Sequence, residues 1–295
     1  MSVADYGISC GSASAKVSSL GAELCSYRSA EGREYIWQAD PAVWGSHGPN
    51  LFPLIGVTIN GQISIEGKNY QIPKHGVVRR KEFSAHMINS STIEMVYTAD
   101  EASRELYPFD FTLRVRYTIH EDGFDAVYTV ENQDRREMPF CLGGHPGFLC
   151  PMYEGEAFED YVIRFEEPET GLVRTMSADG CLTGQKQIAL QDGTALCLHH
   201  EMFDHDALIF DGIRSRRVCL ENRLTGKGLA FSFPDFKVLA LWTKPGAKAP
   251  YLCLEPWNGL PPLEGETGRF EDKPYVRRLG PGQIYQAGYA MRAKA

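Results

Sequence analysis

No run of the sequence approaches the roughly 20 consecutive apolar residues that a membrane-spanning helix needs, so no membrane partner is expected. Met1 to Gly21 lacks the basic start and apolar core of a secretory signal, which makes a cytoplasmic protein the expectation. Long basic stretches are also missing. The densest are Arg79-Arg80-Lys81 and Arg214-Ser215-Arg216-Arg217, and the net charge is −8. A nucleic-acid surface needs a positive stripe to displace counterions, so no nucleic acid partner is expected.

The marks of several chemistries are absent too. There is no G-x-S-x-G elbow, no phosphate-cradling G-x-x-x-x-G-K and no G-x-G-x-x-G after a strand. The eight cysteines are scattered and form no C-x-x-C pair. Several, such as Cys219 and Cys253, stand in apolar runs and read as reduced core thiols. His199, His200 and His205 cluster with Asp204 and Asp206, but no H-E-x-x-H or cysteine pair accompanies them. Neither a metal nor any other cofactor is expected.

Long 3.6-period segments are missing as well. Asp100–Leu106 and His199–Phe203 predict one or two helical turns each, which argues against alternating β and α units. Period-two alternation dominates instead. Phe111, Leu113, Val115, Tyr117 and Ile119 alternate with Thr112, Arg114, Arg116 and Thr118. A second such run carries Phe124, Ala126, Tyr128 and Val130, and Asp122-Gly123 between the two signals a hairpin. Similar runs cover Thr92–Thr98, Tyr161–Phe165, Arg217–Glu221, Leu229–Phe233 and Val238–Thr243. Asn60-Gly61, Glu66-Gly67, Thr225-Gly226 and Lys244-Pro245-Gly246 mark turns. With no linker, tract or repeat in view, the pattern predicts an all-β fold. It is one large antiparallel β-sandwich domain over residues 1–295, with few short helices.

Four segments differ from ordinary loops: Trp44 to Gly56, Pro73 to Arg79, Gly143 to Phe148 and Leu252 to Gly259. In three of them an ionisable residue sits among Gly, Pro and aromatics, where a constrained backbone can hold a side chain in place. Glu255 closes the apolar run Tyr251-Leu252-Cys253-Leu254 and precedes Pro256-Trp257. A carboxylate at the end of a buried strand costs free energy unless it is paired or used. The plain alternatives are a structural glutamate, a satisfied loop histidine at His145, a solvated turn at His75 and Arg79, and a strand-start aspartate at Asp206.

The combination, in order along the chain, weighs more than its parts. Its pieces are Trp44 with Pro49-Asn50-Leu51-Phe52-Pro53; His75-Gly76 with Arg79; Tyr107-Pro108-Phe109; Gly144-His145-Pro146-Gly147-Phe148; Asp206-Ala207-Leu208; Trp242-Thr243; and Cys253-Leu254-Glu255-Pro256-Trp257. This set resembles the aldose 1-epimerase (galactose mutarotase) family, in particular its shorter bacterial branch of LacX-type proteins. The resemblance spans roughly Leu20 to Gly288. It implies a mutarotase-like supersandwich that interconverts the α and β anomers of a free or phosphorylated hexose, with Glu255 as general base and His145 as general acid. It further implies that His75, Arg79 and Asp206 hold substrate oxygens. Trp242 is a candidate sugar-stacking face. Two departures stand out. Val57 follows Gly56 where many relatives carry arginine, and Val77-Val78 replaces the more usual Phe-Ala.

Mutarotation needs a base for the anomeric hydroxyl and an acid for the ring oxygen. An unperturbed carboxylate is ionised at neutral pH and an imidazole donates readily there. Placed on opposite sides of the ring, the two groups are expected about one sugar ring apart. A hexose-6-phosphate mutarotase, with Lys74, Arg79 and Arg80 near the phosphate, is a close variant. A non-catalytic sugar-binding module and a glycoside hydrolase using Asp206 and Glu255 are the other classes.

Overall fold

Residues 3–190 and 193–294 are described by a computed structural model of the chain. The predicted alternation becomes the larger of the two main sheets. Phe111, Leu113, Val115, Tyr117 and Ile119 are all buried, while Arg116 between them is exposed. Their strand, Phe111–His120, pairs with Thr92–Thr98 on one side and Gly123–Asn132 on the other. Nine strands follow in the order Ala195–Cys197, Tyr161–Phe165, Arg217–Asn222, Gly228–Ser232, Ile284–Lys294, Gly123–Asn132, Phe111–His120, Thr92–Thr98 and Ser84–Asn89.

The second sheet runs Leu182–Ile188, Leu172–Met176, Leu208–Asp211, Val238–Trp242, Tyr251–Asn258, Leu142–Gly144 and Asn50–Leu51, with Gly147–Leu149 also paired to Tyr251–Asn258. Strand pairings in both sheets are antiparallel. The inner faces interleave. Phe148 meets Phe231 at 5.7 Å between ring centroids, and Phe165 meets Phe210 at 5.0 Å. Each such buried ring contributes roughly 1.5–3 kcal/mol relative to exposure. A β-sandwich is the observed architecture, and a single α-helix, Glu101–Leu106, appears among the described residues.

Local details refine the sequence expectations. Asp100 caps that helix by accepting from the Ser103 amide, and the second predicted helical segment is a 3-10 turn, His200–Phe203. The hairpin turn consists of Glu121-Asp122, and Gly123 is the first residue of the next strand. Gly123 is a close-approach glycine: a Cβ there would sit 1.9 Å from the Met291 carbonyl oxygen. Glu66-Gly67 is a left-handed pair, with φ of 51° and 79°, closing the small hairpin Gln62–Ile65/Lys68–Gln71.

Asn50, on the edge strand of the second sheet, ties it to the first. Its Nδ2 donates to the carbonyls of Gly21 and Ala22 at 2.8 and 2.9 Å, and its Oδ1 accepts from Tyr128 Oη at 2.7 Å. Buried polar groups are tolerated when satisfied in this way. Asn50 pairs through its backbone with Gly144, one residue before His145.

Candidate active site

Strand Tyr251–Asn258 is buried along its whole length, between Val238–Trp242 and the two short strands that flank His145. Its alternation sorts side chains to two environments. Leu252 and Leu254 enter the main core, whereas Tyr251 and Cys253 join a smaller cluster with Trp37 and Ala249, flanked by Trp44 and Trp242. Glu255 continues that second row and lines a cavity, at 2% exposure.

His145 reaches the same cavity from the end of Leu142–Gly144. A Cβ on Gly143 would lie 2.6 Å from Trp257 Cδ1, and one on Gly144 would lie 2.7 Å from Tyr289 Cε1. The paired glycines therefore let the strand press against both sheets and carry His145 inward. The imidazole stacks on Trp44 at 5.1 Å and meets the edges of Trp242 at 5.5 Å and His75 at 5.7 Å. Its Nε2 lies 3.3 Å from Glu255 Oε2.

His75 and Asp206 both hold left-handed backbone, with φ of 67° and 82°. Such conformations cost about 1–3 kcal/mol in non-glycine residues and persist when the surroundings impose them. The His75 amide is held by the Gly56 carbonyl at 2.7 Å, and at the next residue only glycine fits, since a Cβ on Gly76 would lie 2.1 Å from the Phe52 carbonyl oxygen. Asp206 lies between the 3-10 turn His200–Phe203 and strand Leu208–Asp211. Its amide donates to the Phe203 carbonyl at 3.0 Å.

All six residues singled out from the sequence line this one cavity: His145, Glu255, His75, Arg79, Asp206 and Trp242. It encloses about 690 Å³ of empty volume, including its open mouth. Lys74, Trp44, Trp257 and Val57 also line it. Met176 and Gly180, on and just after strand Leu172–Met176, were invisible to sequence reasoning. Nothing in Met-Ser-Ala-Asp-Gly marks a pocket wall; only the sheet order brings it opposite Val57. The histidines near Asp206 take other roles: His200 stacks on Phe158 at 4.1 Å, and His199 sits 3.4 Å from Glu201.

Two expectations about the acid–base pair are corrected. The groups touch and are not a sugar ring apart. The physical reason is that both short strands flanking His145 pair with the strand that carries Glu255, which leaves no room for a ring between the two side chains. The protonation preferences also differ from the unperturbed ones. Burial drives the Glu255 carboxyl well above its ordinary value, Asp206 adds to the rise, and Lys74 opposes it. Burial brings the His145 imidazole down to about 3, with Lys74 and Arg79 adding to the fall. Both groups favour their neutral forms in this wall of aromatics. Glu255 Oε2 and His145 Nδ1 make no hydrogen bond to the protein.

The cations of the cavity are equally unengaged. Lys74 and Arg79 make no ion pair or side-chain hydrogen bond among the described residues, and Arg80 lies beside them on the rim of an adjoining cavity. With Glu255 protonated, the lining carries two positive charges against the one of Asp206.

The family model for aldose 1-epimerase matches residues 6–271 of the chain. Protein LacX (chromosomal) of Lactococcus lactis subsp. lactis is 34% identical over 286 residues, covering 92% of this chain and 93% of that one. Among solved structures, a galactose mutarotase related enzyme from Lactobacillus acidophilus aligns with TM-score 0.93 at 29% identity, covering 99% of this chain and 98% of its own. A galactose mutarotase-like protein from Lactobacillus casei ATCC 334 aligns with TM-score 0.92 at 27% identity, covering 99% and 100%.

Proposed function

Since the chain belongs to the aldose 1-epimerase family, we propose that it is a mutarotase that opens and recloses a hexose ring with His145 and Glu255 as one proton-exchanging pair. The observation that carries this reading is the 3.3 Å approach of two buried side chains, each with an unpaired polar atom, in the wall of a cavity. Between them the neutral pair holds one proton, the same number as a carboxylate and an imidazolium. Transfer of that proton from Glu255 to His145 arms both groups. Glu255 then takes the proton of the anomeric hydroxyl, the C1–O5 bond breaks with its electrons going to O5, and His145 protonates O5. Rotation about C1–C2 presents the other carbonyl face. His145 recovers its proton from the O5 hydroxyl as O5 attacks C1, and Glu255 returns its proton to the new anomeric oxygen. No atom or electron is left over.

His75, Arg79 and Asp206 bind ring hydroxyls in this reading. Arg79 offers a planar donor fork, and Asp206 accepts from neighbouring hydroxyls. Trp242 gives an apolar face to the sugar's C–H side. A second reading, a hexose 6-phosphate as substrate, is favoured by one specific observation: Lys74 and Arg79 face the cavity without acidic partners, next to Arg80. We place the enzyme in the cytoplasm as one domain over residues 1–295. All eight of its cysteines are unpaired, as in a reducing compartment, and no helix among the described residues is long and apolar enough to cross a membrane.

The test is anomer exchange of freshly dissolved α-D-glucose, α-D-galactose and their 6-phosphates, followed by polarimetry or saturation-transfer NMR. Acceleration by wild type, absent in His145→Asn and Glu255→Gln, supports the pair's role. Sugar binding with exchange at the solvent rate would instead make the chain a binding module.

A further inference from the structure

Cys253 stands two residues before Glu255 on the same side of its strand, fully buried and outside the sugar-facing wall. From the sequence it is an inert core thiol. In the fold, its sulfur, a ring nitrogen of His145 and a carboxylate oxygen of Glu255 all lie within 4.8 Å of one another. A sulfur, an imidazole and a carboxylate are the three protein donor types that zinc takes.

The geometry suits such an ion. Zinc bonds of about 2.0–2.3 Å in a tetrahedral shell put neighbouring donors roughly 3.3–3.7 Å apart. The 3.3 Å between His145 Nε2 and Glu255 Oε2 is already such an edge. The Cys253 sulfur, within 4.8 Å of the other two donors, has to rotate closer for a bound ion to take it as a third ligand. Of these donors Glu255 Oε2 has no hydrogen-bond partner, and both His145 and Glu255 are more than nine-tenths buried.

We propose that His145, Cys253 and Glu255 form a binding site for a thiophilic divalent cation of the zinc class, and that the bound ion shuts off the pocket's chemistry. Binding displaces the thiol proton and the carboxyl proton into solvent, leaving a thiolate and a carboxylate on the metal. The ion then holds both groups that the sugar's O1 and O5 require, so metal and sugar exclude each other. Magnesium and calcium, which prefer oxygen donors, do not compete for the thiolate. The effect on rate rests on the mutarotase reading, whereas the binding itself does not.

The experiment titrates the intact protein with Co²⁺ as a spectroscopic stand-in and with Zn²⁺ by calorimetry. Wild type is compared with Cys253→Ser and Cys253→Ala, and anomer exchange is followed in parallel. The expected result is a thiolate-to-cobalt charge-transfer band that both variants lose and that Zn²⁺, but not Mg²⁺, displaces. Zinc affinity falls at least about tenfold in both variants, since losing even an outer partner of a metal ligand costs that much. Anomer exchange slows with zinc in wild type, competitively with sugar, while both variants keep the basal rate and resist the metal. No charge-transfer band, or zinc affinity unchanged in both variants, overturns the site even if the enzyme is fully active. A band without any anomer exchange to inhibit supports the site and counts against the mutarotase reading alone. Zinc-saturated wild type that still exchanges anomers at full rate overturns the blocking role.

Discussion

The amide of Gly56 donates to Nδ1 of His75 at 3.2 Å, while the amide of His75 donates back to the Gly56 carbonyl at 2.7 Å. This reciprocal clamp joins two of the four unusual segments and settles a tautomer. Nδ1 is the acceptor, so the ring proton sits on Nε2. Burial, with His145 next in effect and Lys74 and Arg79 adding, drives the His75 imidazole well below its ordinary value and keeps it neutral. His75 is thus a fixed uncharged donor in the cavity wall, and its expected role is to bind and not to move protons. His75→Asn tolerates the left-handed backbone. It should raise KM roughly fivefold, about 1 kcal/mol of hydrogen bonding, and leave kcat within about twofold. Steady-state anomer exchange measures both. A loss confined to kcat would remove His75 from the binding role.

The pH profile follows from the pair as a unit. In the proposed mechanism, activity needs one proton shared by His145 and Glu255. Below about 3, His145 is protonated as well and the pair holds two. Above the raised Glu255 value it holds none. The expected profile of kcat/KM therefore has its acid limb near 3 and its alkaline limb well above the ordinary carboxylate value. An enzyme with unshifted groups would show a bell between the ordinary carboxylate and imidazole values instead. A pH–rate series in constant ionic strength tells the two apart.

Stability and activity should separate at Glu255. A carboxyl whose folded pKa is raised stabilises the fold below its unfolded value. That contribution disappears as pH rises through the folded value. Wild type therefore carries a growing penalty from pH 4.5 upward, and Glu255→Gln removes it. The variant's Tm should exceed that of wild type by a margin that widens with pH, while kcat falls about 10²–10⁴-fold. His145 acts in the opposite direction. Its depressed pKa costs stability as pH falls from 6.5 toward 3, so His145→Asn should flatten the acid side of the curve. Thermal melts of the two variants across pH 4 to 9 check both signs.

The fold class was legible because its cause is local. Period-two runs such as Phe111 to Ile119 state which face is buried, and the strands Thr92–Thr98 and Tyr161–Phe165 occur where the alternation predicts them. Individual cavity-lining residues were legible where chemistry conflicts with surroundings, as at Glu255 behind four apolar residues. Their spacing was not. The approach of Nε2 to Oε2 depends on Gly143 and Gly144 packing against Trp257 and Tyr289, which are 114 and 145 positions away from them respectively. The protonation preferences were hidden for the same reason, since burial is a property of the assembled wall. Met176 and Gly180 reach the cavity only through sheet order, and no local pattern encodes that.

The Pro49-Asn50-Leu51-Phe52-Pro53 segment shows how a motif near a site can serve the fold. The Asn50 side chain contacts Gly21, Ala22, Tyr117 and Tyr128, none of which lines the cavity. Removing it leaves Tyr128 Oη without its acceptor and takes away both donors of the Nδ2 group. The Ala22 carbonyl keeps Tyr117 Oη at 2.9 Å, but the Gly21 carbonyl loses its Asn50 donor. Each buried orphan costs about 1–3 kcal/mol, so Asn50→Ala should lower stability by roughly 2–4 kcal/mol. Asn50→Asp keeps the acceptor for Tyr128 yet points a carboxylate at two carbonyl oxygens, where burial of an unpaired charge adds to the repulsion. It should be the less stable of the two despite its closer shape. Urea unfolding with unchanged m-values checks the order, and kcat/KM measured on folded protein should stay within about threefold of wild type for Asn50→Ala. A large activity loss with intact stability would mean that Asn50 positions His145 through the Gly144 pairing, and the segment would then belong to the site.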